Sequence, residues 1–247
     1  MIGQELITHM RESILDDIVL PYLWSDTELL RFLNYAEVQA CRRAHLLIDG
    51  STGNDNGTAA TASTAGQRPL CTLTVVANQA AYTLSRLILQ VKRCQLQSMT
   101  IPLVGPVTYP ELDDVVSGWM GTGGLIGTAG SGGSPTYYLN EPGNTVTFVL
   151  APSAGDIANL VVSRLPLSQF TLQTSPEIDD RYHVDLCDWA AHLAYNKPDS
   201  DTLNLNLSAF YEKKFTATFG PLPDAYSERM RKTIAMQERM RPRTFGD

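Results

Sequence analysis

"RYHVDLCDWAAHLAY", residues 181–195, gathers two histidines, a cysteine and two aspartates into fifteen positions. Its reading decides between a reactive site and a packing helix. At about 100° per residue, Cys187 lies about 40° round a helix from His183, whereas His192 lies about 180° away. One segment therefore offers at most a His/Cys pair, short of the three or four protein ligands that zinc takes. Asp185, Asp188 and His192 share a polar side. Leu186, Trp189, Ala190, Leu193 and Ala194 share an apolar side, with Cys187 at its edge. The pattern predicts a helix that packs on a core and turns its polar face to solvent or to a partner. No metal and no cofactor is assigned to it.

Working outward, "TLNLNLSAFYEKKFTATFG" (202–220) reads as the next helix, stopped by Gly220-Pro221. "DAYSERMRKTIAMQERM" (224–240) reads as a final one. Near the start, "GQELITHMRESILDDI" (3–18) sets Leu6, Met10, Ile14 and Ile18 four apart, a single helical stripe, before Pro21 interrupts. "WSDTELLRFLNYAEVQACRRAHLLI" (24–48) has Ser25 three residues before Glu28, a capping-box pattern. Leu29, Leu33, Ala36, Ala40, Ala44 and Leu47 follow at helical spacing, with Arg42 and Arg43 outside the stripe.

Between these helical ends the texture changes. Residues 49–67 are rich in Gly, Ser, Thr and Ala without apolar periodicity, and read as a flexible linker. "CTLTVVAN", "AAYTL", "ILQVKRCQL", "MTIPL" and "NLVVSRLPL" read as short strands. "PTYYLN" and "NTVTFVL" flank Glu141-Pro142-Gly143 as a hairpin, and "YPELDDVVSGWM" allows a helical turn or two. The expected fold is α+β. A helical bundle (1–48 and 178–222) carries a β-rich insertion (68–177) between its second and third helices, and residues 223–247 form a basic arm.

Catalytic patterns fail one by one. The glycine-rich run 121–133 has Ile126 where a third phosphate-loop glycine belongs, no lysine follows, and its serines do not complete G-x-S-x-G. The pairs Asp16-Asp17, Asp113-Asp114 and Asp179-Asp180 stand beside no evident base or nucleophile, so no catalytic residue is assigned. The four cysteines are widely spaced without C-x-x-C, which predicts free thiols. No signal peptide or membrane span is read in the chain.

Charge is the remaining signal. Arg229, Arg231, Lys232, Arg239, Arg241 and Arg243 face one acid, Glu238, so this segment carries +5 of a chain whose net charge is −7, leaving −12 elsewhere. On a helix Tyr226, Met230 and Ile234 form a narrow apolar stripe, with Arg231, Lys232 and Arg239 on the other side. This is either a solvated helix or a docking arm with apolar anchors among cations. The acidic body weighs against a nucleic-acid-binding module.

The order of blocks resembles the head-to-tail adaptor proteins of tailed bacteriophages. The likeness rests on "WSDTELLRFLNYAEVQACRRA", "NQAAYTLSRLILQVKRCQL", "SPTYYLNEPGNTVTFVLAPSAGD" and "RYHVDLCDWAAHLAYNKPDSDTLNLNLSAFYEKKFTATFG", spanning roughly residues 24–220. It implies a structural virion protein with no catalytic residues. Such a protein forms a ring, expected to be a dodecamer, below the portal. It prolongs the DNA channel and offers a platform to the next tail component, a nozzle or stopper. DNA would pass through its lumen without sequence-specific binding, and no membrane is involved. The place implied is the virion neck, after synthesis in the host cytoplasm. The portal-binding role would fall on the arm: Tyr226, Arg229, Met230, Arg231, Lys232, Ile234, Arg239, Arg241 and Arg243.

Overall fold

A computed structural model describes residues 1–50, 70–116, 119, 134–141, 144–198 and 201–225. The chain is mixed α+β, with five α-helices and two antiparallel sheets among those residues. It divides into two compact units. One joins Met1–Leu47 to Arg164–Pro223; the other contains Ile48–Ser163.

The first unit is helical. Helix α1 (Gly3–Met10) runs into a π-helical turn, Arg11–Leu15, which ends at Asp16 in the left-handed region (φ 51°). Leu6 and Met10 are buried as their spacing predicts, but the chain leaves the helix before the stripe is complete. Ile18, expected on that stripe, is 58% exposed. Helix α2 (Asp26–Ala44) starts at Ser25, whose hydroxyl accepts the Glu28 amide at 3.3 Å. Leu29, Leu33, Ala36 and Ala40 are fully buried along one face. Its last turn departs from the predicted stripe: Ala44 is exposed while Arg43 is buried, and Leu47 opens a strand instead.

The stretch read as one helix from 181 to 195 is two pieces, a 3-10 turn (Asp180–Tyr182) and helix α4 (Leu186–Tyr195). Helix α5 (Leu205–Phe219) is capped by Asn204, whose side chain accepts the Leu207 amide at 3.2 Å. It stops at Gly220, whose φ of 86° suits glycine. The four helices enclose one core containing Leu6, Trp24, Leu33, Cys41, Cys187 and Phe215. Burying each large apolar side chain contributes about 1.5–3 kcal/mol.

Residues 164–177, assigned from sequence to the insertion, cluster with the helices instead. Phe170 and Ile178 lie in the helical core, and two polar residues of α2 hold the backbone around them. The Asn34 amide donates to Phe170 O (3.1 Å) and its oxygen accepts Phe170 N (2.9 Å). The Glu37 carboxylate accepts Glu177 N (2.5 Å) and Ile178 N (3.3 Å).

The second unit holds both sheets. Strand β1 (Leu47–Gly50), β2 (Thr72–Val75) and β4 (Ile88–Leu96) all pair with β7 (Asp156–Arg164). The β2–β7 register runs from Thr72↔Asn159 to Val75↔Asp156. Strand β3 (Ala81–Thr83), β6 (Thr145–Val149) and β5 (Tyr137–Glu141) make the other sheet in that order. β5 and β6 pair antiparallel from Tyr137↔Val149 to Glu141↔Thr145, as the hairpin reading predicts, although Pro142 and Gly143 lie outside the described residues. Met99–Leu103, read as a strand, is irregular. Helix α3 (Tyr109–Val115) is held by a reciprocal cap between Thr108 and Glu111. The core of this unit includes Val91, Cys94, Tyr138, Val146, Phe148 and Leu160.

Gly3 tests how tightly α1 meets the returning chain. A Cβ there would stand 2.5 Å from Thr171 O, and Gly3 N already donates to Thr174 O at 3.0 Å. Alanine is the better helix former by about 1 kcal/mol, yet here backbone must move aside. Gly3→Ala is expected to destabilise by about 1–3 kcal/mol in urea unfolding followed by circular dichroism. A more stable variant would show that the approach is loose.

Candidate partner-binding surface

The arm residues singled out from sequence, Tyr226, Arg229, Met230, Arg231, Lys232, Ile234, Arg239, Arg241 and Arg243, lie outside the described residues. So do the glycine-rich run 121–133 and linker residues 51–67.

Around α4 the polar groups serve the core. His183 precedes the helix and is fully buried, with Nδ1 2.9 Å from the Met1 amine and Nε2 3.0 Å from Ile178 O. Cys187 lies in the core, where burial pushes its thiol up to about 12. The polar side expected to face solvent or a partner is turned towards α5. His192 Nδ1 is 2.9 Å from Ser208 Oγ, and Lys214 Nζ donates to buried Asp188 at 2.8 Å. Among the described residues no three His, Cys, Asp or Glu side chains come together to hold a metal. All four cysteines are buried thiols outside any disulfide.

The aspartate pairs also have structural tasks. Asp113 accepts the Trp119 indole N–H at 2.7 Å. Asp179 caps the 3-10 turn through Arg181 N and pairs with the Arg181 guanidinium, whose hydrogen bonds lower its carboxyl to about 2. Asp17 is the partner of Arg11, which is buried although nothing in its sequence spacing marks it. Arg11 donates to Asp17 Oδ2, to Trp24 O at 2.6 Å and to Asp26 at 2.8 Å, and lies 3.8 Å from the centre of the Tyr22 ring. Asp17 Oδ1 in turn accepts Leu23 N at 3.0 Å. The loop from Asp16 to Trp24 is thus tied down from within, while Val19 is 78% and Leu20 72% exposed.

A groove of about 690 Å³ lies between α2 and residues 169–171. Its Glu28 is paired with Lys197 (3.1 Å), and its Asn34 is taken by the Phe170 backbone. Its Ser25 hydroxyl accepts the Glu28 amide as the cap of α2. Arg43 was missed by helical spacing. It packs over the Trp189 and Phe215 rings, 4.7 and 5.0 Å from their centres, and donates to Thr216 Oγ1 and Gly220 O.

Polar side chains around α2, α4 and the loop after α1 hold backbone and close the helical core. A family model described as SU10 adaptor protein matches residues 1–243, and the chain belongs to that family. It is a phage adaptor, in a structural family that is not an enzyme class. No curated protein matches the chain. Among the described residues, no helix is long and apolar enough to cross a membrane.

Glu37 gives the helical unit a pH dependence. Burial pushes its carboxyl up to about 7 from 4.5; the Glu177 and Ile178 amides pull it down, Glu177 raises it and Arg164 lowers it. The folded state therefore holds a proton that the unfolded chain releases, and stability falls as pH rises from about 4.5 to about 7. Glu37→Gln removes this slope. In urea unfolding the variant is expected to gain on the natural chain by about 1–3 kcal/mol between pH 5 and pH 8. An equal difference at both pH values would refute the assignment.

Proposed function

We propose that the protein is a head-to-tail adaptor that assembles as a ring, a dodecamer, below the portal. It extends the DNA channel there and presents a platform to a tail, nozzle or stopper protein. The observation that carries this reading is the family match, which covers residues 1–243 and so includes the basic arm as far as Arg243. In this reading the helices at both chain ends, with residues 164–177, form a bundle, the β-rich segment is an insertion within it, and the site of action is the virion neck. The −12 charge outside residues 229–243 suits a lumen that lets DNA slide, because unspecific DNA affinity rests on cations neutralising phosphates.

The arm, residues 223–247, is the portal contact in this proposal. Tyr226, Met230 and Ile234 are its anchors, each worth about 1.5–3 kcal/mol if buried. Arg229, Arg231, Lys232, Arg239, Arg241 and Arg243 meet acidic or polar groups and mainly speed encounter. Repeated round a ring, modest arms give strong avidity. Electron microscopy of the protein mixed with its portal is expected to show a ring stacked co-axially on the portal. A chain ending at Asp224 is expected to fold, by circular dichroism, and to lose portal binding. A folded truncation that binds portal with undiminished affinity would refute the arm, and absence of any stacked ring with the full chain would refute the adaptor position.

A further inference from the structure

The loop after α1 exposes an unusual run of large apolar side chains. Ile18 is 58% exposed, Val19 78%, Leu20 72%, Tyr22 42% and Leu23 51%. They leave on the order of 500 Å² open, as much as the largest apolar patch on an ordinary monomer. Flexibility does not explain the exposure, because Arg11 and Asp17 grip the loop backbone from beneath. A buried ion pair is a costly way to hold a surface loop, and an intelligible one when the loop must keep its shape for docking.

A second exposed apolar run leaves the same end of the helices. Leu203 is 48% exposed, Leu205 64%, Leu207 37% and Phe210 58%. Tyr195 joins the two runs: its hydroxyl donates to Ile14 O (2.8 Å), its carbonyl accepts Asn204 N (2.9 Å), and its ring stacks on Tyr211. Trp24 adds a bond from its indole N–H to Ala194 O (3.3 Å). Together the two runs expose roughly 900 Å², about one partner's share of a standard interface.

Charge identifies the occupant. From Ile18 to Ser25, and again from Thr202 to Tyr211, there is no charged residue. Copies of a chain with net charge −7 repel one another, so a self-contact belongs where charge is absent. A foreign partner is under no such constraint and can be matched by opposite charge. We infer that this apolar end of the helical unit, whose two exposed runs carry no charge, is the surface through which the chain binds a second copy of itself. The inference deepens the adaptor reading, and rests on it only for the closure of such contacts into a ring.

The test counts copies per particle by sedimentation velocity, for the full chain alone and with the portal of the same phage. The natural chain is expected to associate in at least one of these settings. Val19→Asp/Leu20→Asp is expected to weaken self-association about 100-fold, with Leu205→Asp/Phe210→Asp doing the same from the second run. Val76→Asp, at an exposed apolar site in the β-rich unit, should leave association intact. Thermal melts confirm that each variant folds. Should one double variant fail to fold, the other decides. Unchanged copy number in a folded double variant overturns the inference, as does a natural chain that stays a single copy both alone and on the portal. An assembly that persists in the variants and stacks on the portal would overturn this surface alone. Self-association through this surface without any portal binding would uphold it and count against the adaptor reading.

Discussion

Two polar side chains on one helix hold the helical unit closed. Asn34 and Glu37, one turn apart on α2, take the backbone of Phe170, Glu177 and Ile178, more than 130 residues further along the chain. Apolar burial drives that meeting but is indifferent to register. Hydrogen bonds to specific amides are directional, and they fix where the returning chain lies on α2. Phe170 and Ile178 can then enter the core, and α4 and α5 follow from that point. Arg164, almost fully buried, braces the same segment through Glu177, whose other oxygen accepts Leu167 N.

The arrangement carries a cost that the structure partly recovers. A carboxylate in a core is desolvated, and Glu37 shows it in its raised pKa. Two backbone amides and the nearby Arg164 offset part of the penalty. The same economy recurs at Arg11 and Arg43. Each is a buried guanidinium that donates to a backbone carbonyl as well as to side chains and packs its face on an aromatic ring. Buried charge in this unit positions chain segments. That is consistent with a family of structural phage adaptors.

Much of this was legible in the sequence. Helical spacing located the buried face of α2 as far as Ala40 and the Leu186, Ala190 and Ala194 positions of α4, because a period near 3.6 with small and aliphatic residues leaves few other ways to bury them. Ser25 and Gly220 marked helix ends by local chemistry that needs no tertiary partner. The β5–β6 pairing followed from two β-branched and aromatic runs flanking Glu141-Pro142-Gly143. The ordered blocks pointed to the adaptor family that the family model then showed.

What the sequence could not place were the residues whose role depends on something distant. Arg43 and Ala44 exchange their expected environments because Trp189, Phe215 and the Gly220 carbonyl wait beside one and not the other. Ile18 continues a perfect helical stripe yet faces outward, because Arg11 turns the chain at Asp16 by binding Asp17 and the Trp24 carbonyl. Residues 164–177 look like the tail of a β segment until Asn34 and Glu37 claim them for the helices. Spacing and capping act over a few residues and can be read from the chain. Side-chain bonds across more than a hundred residues depend on which surfaces meet, and only the folded structure decides that.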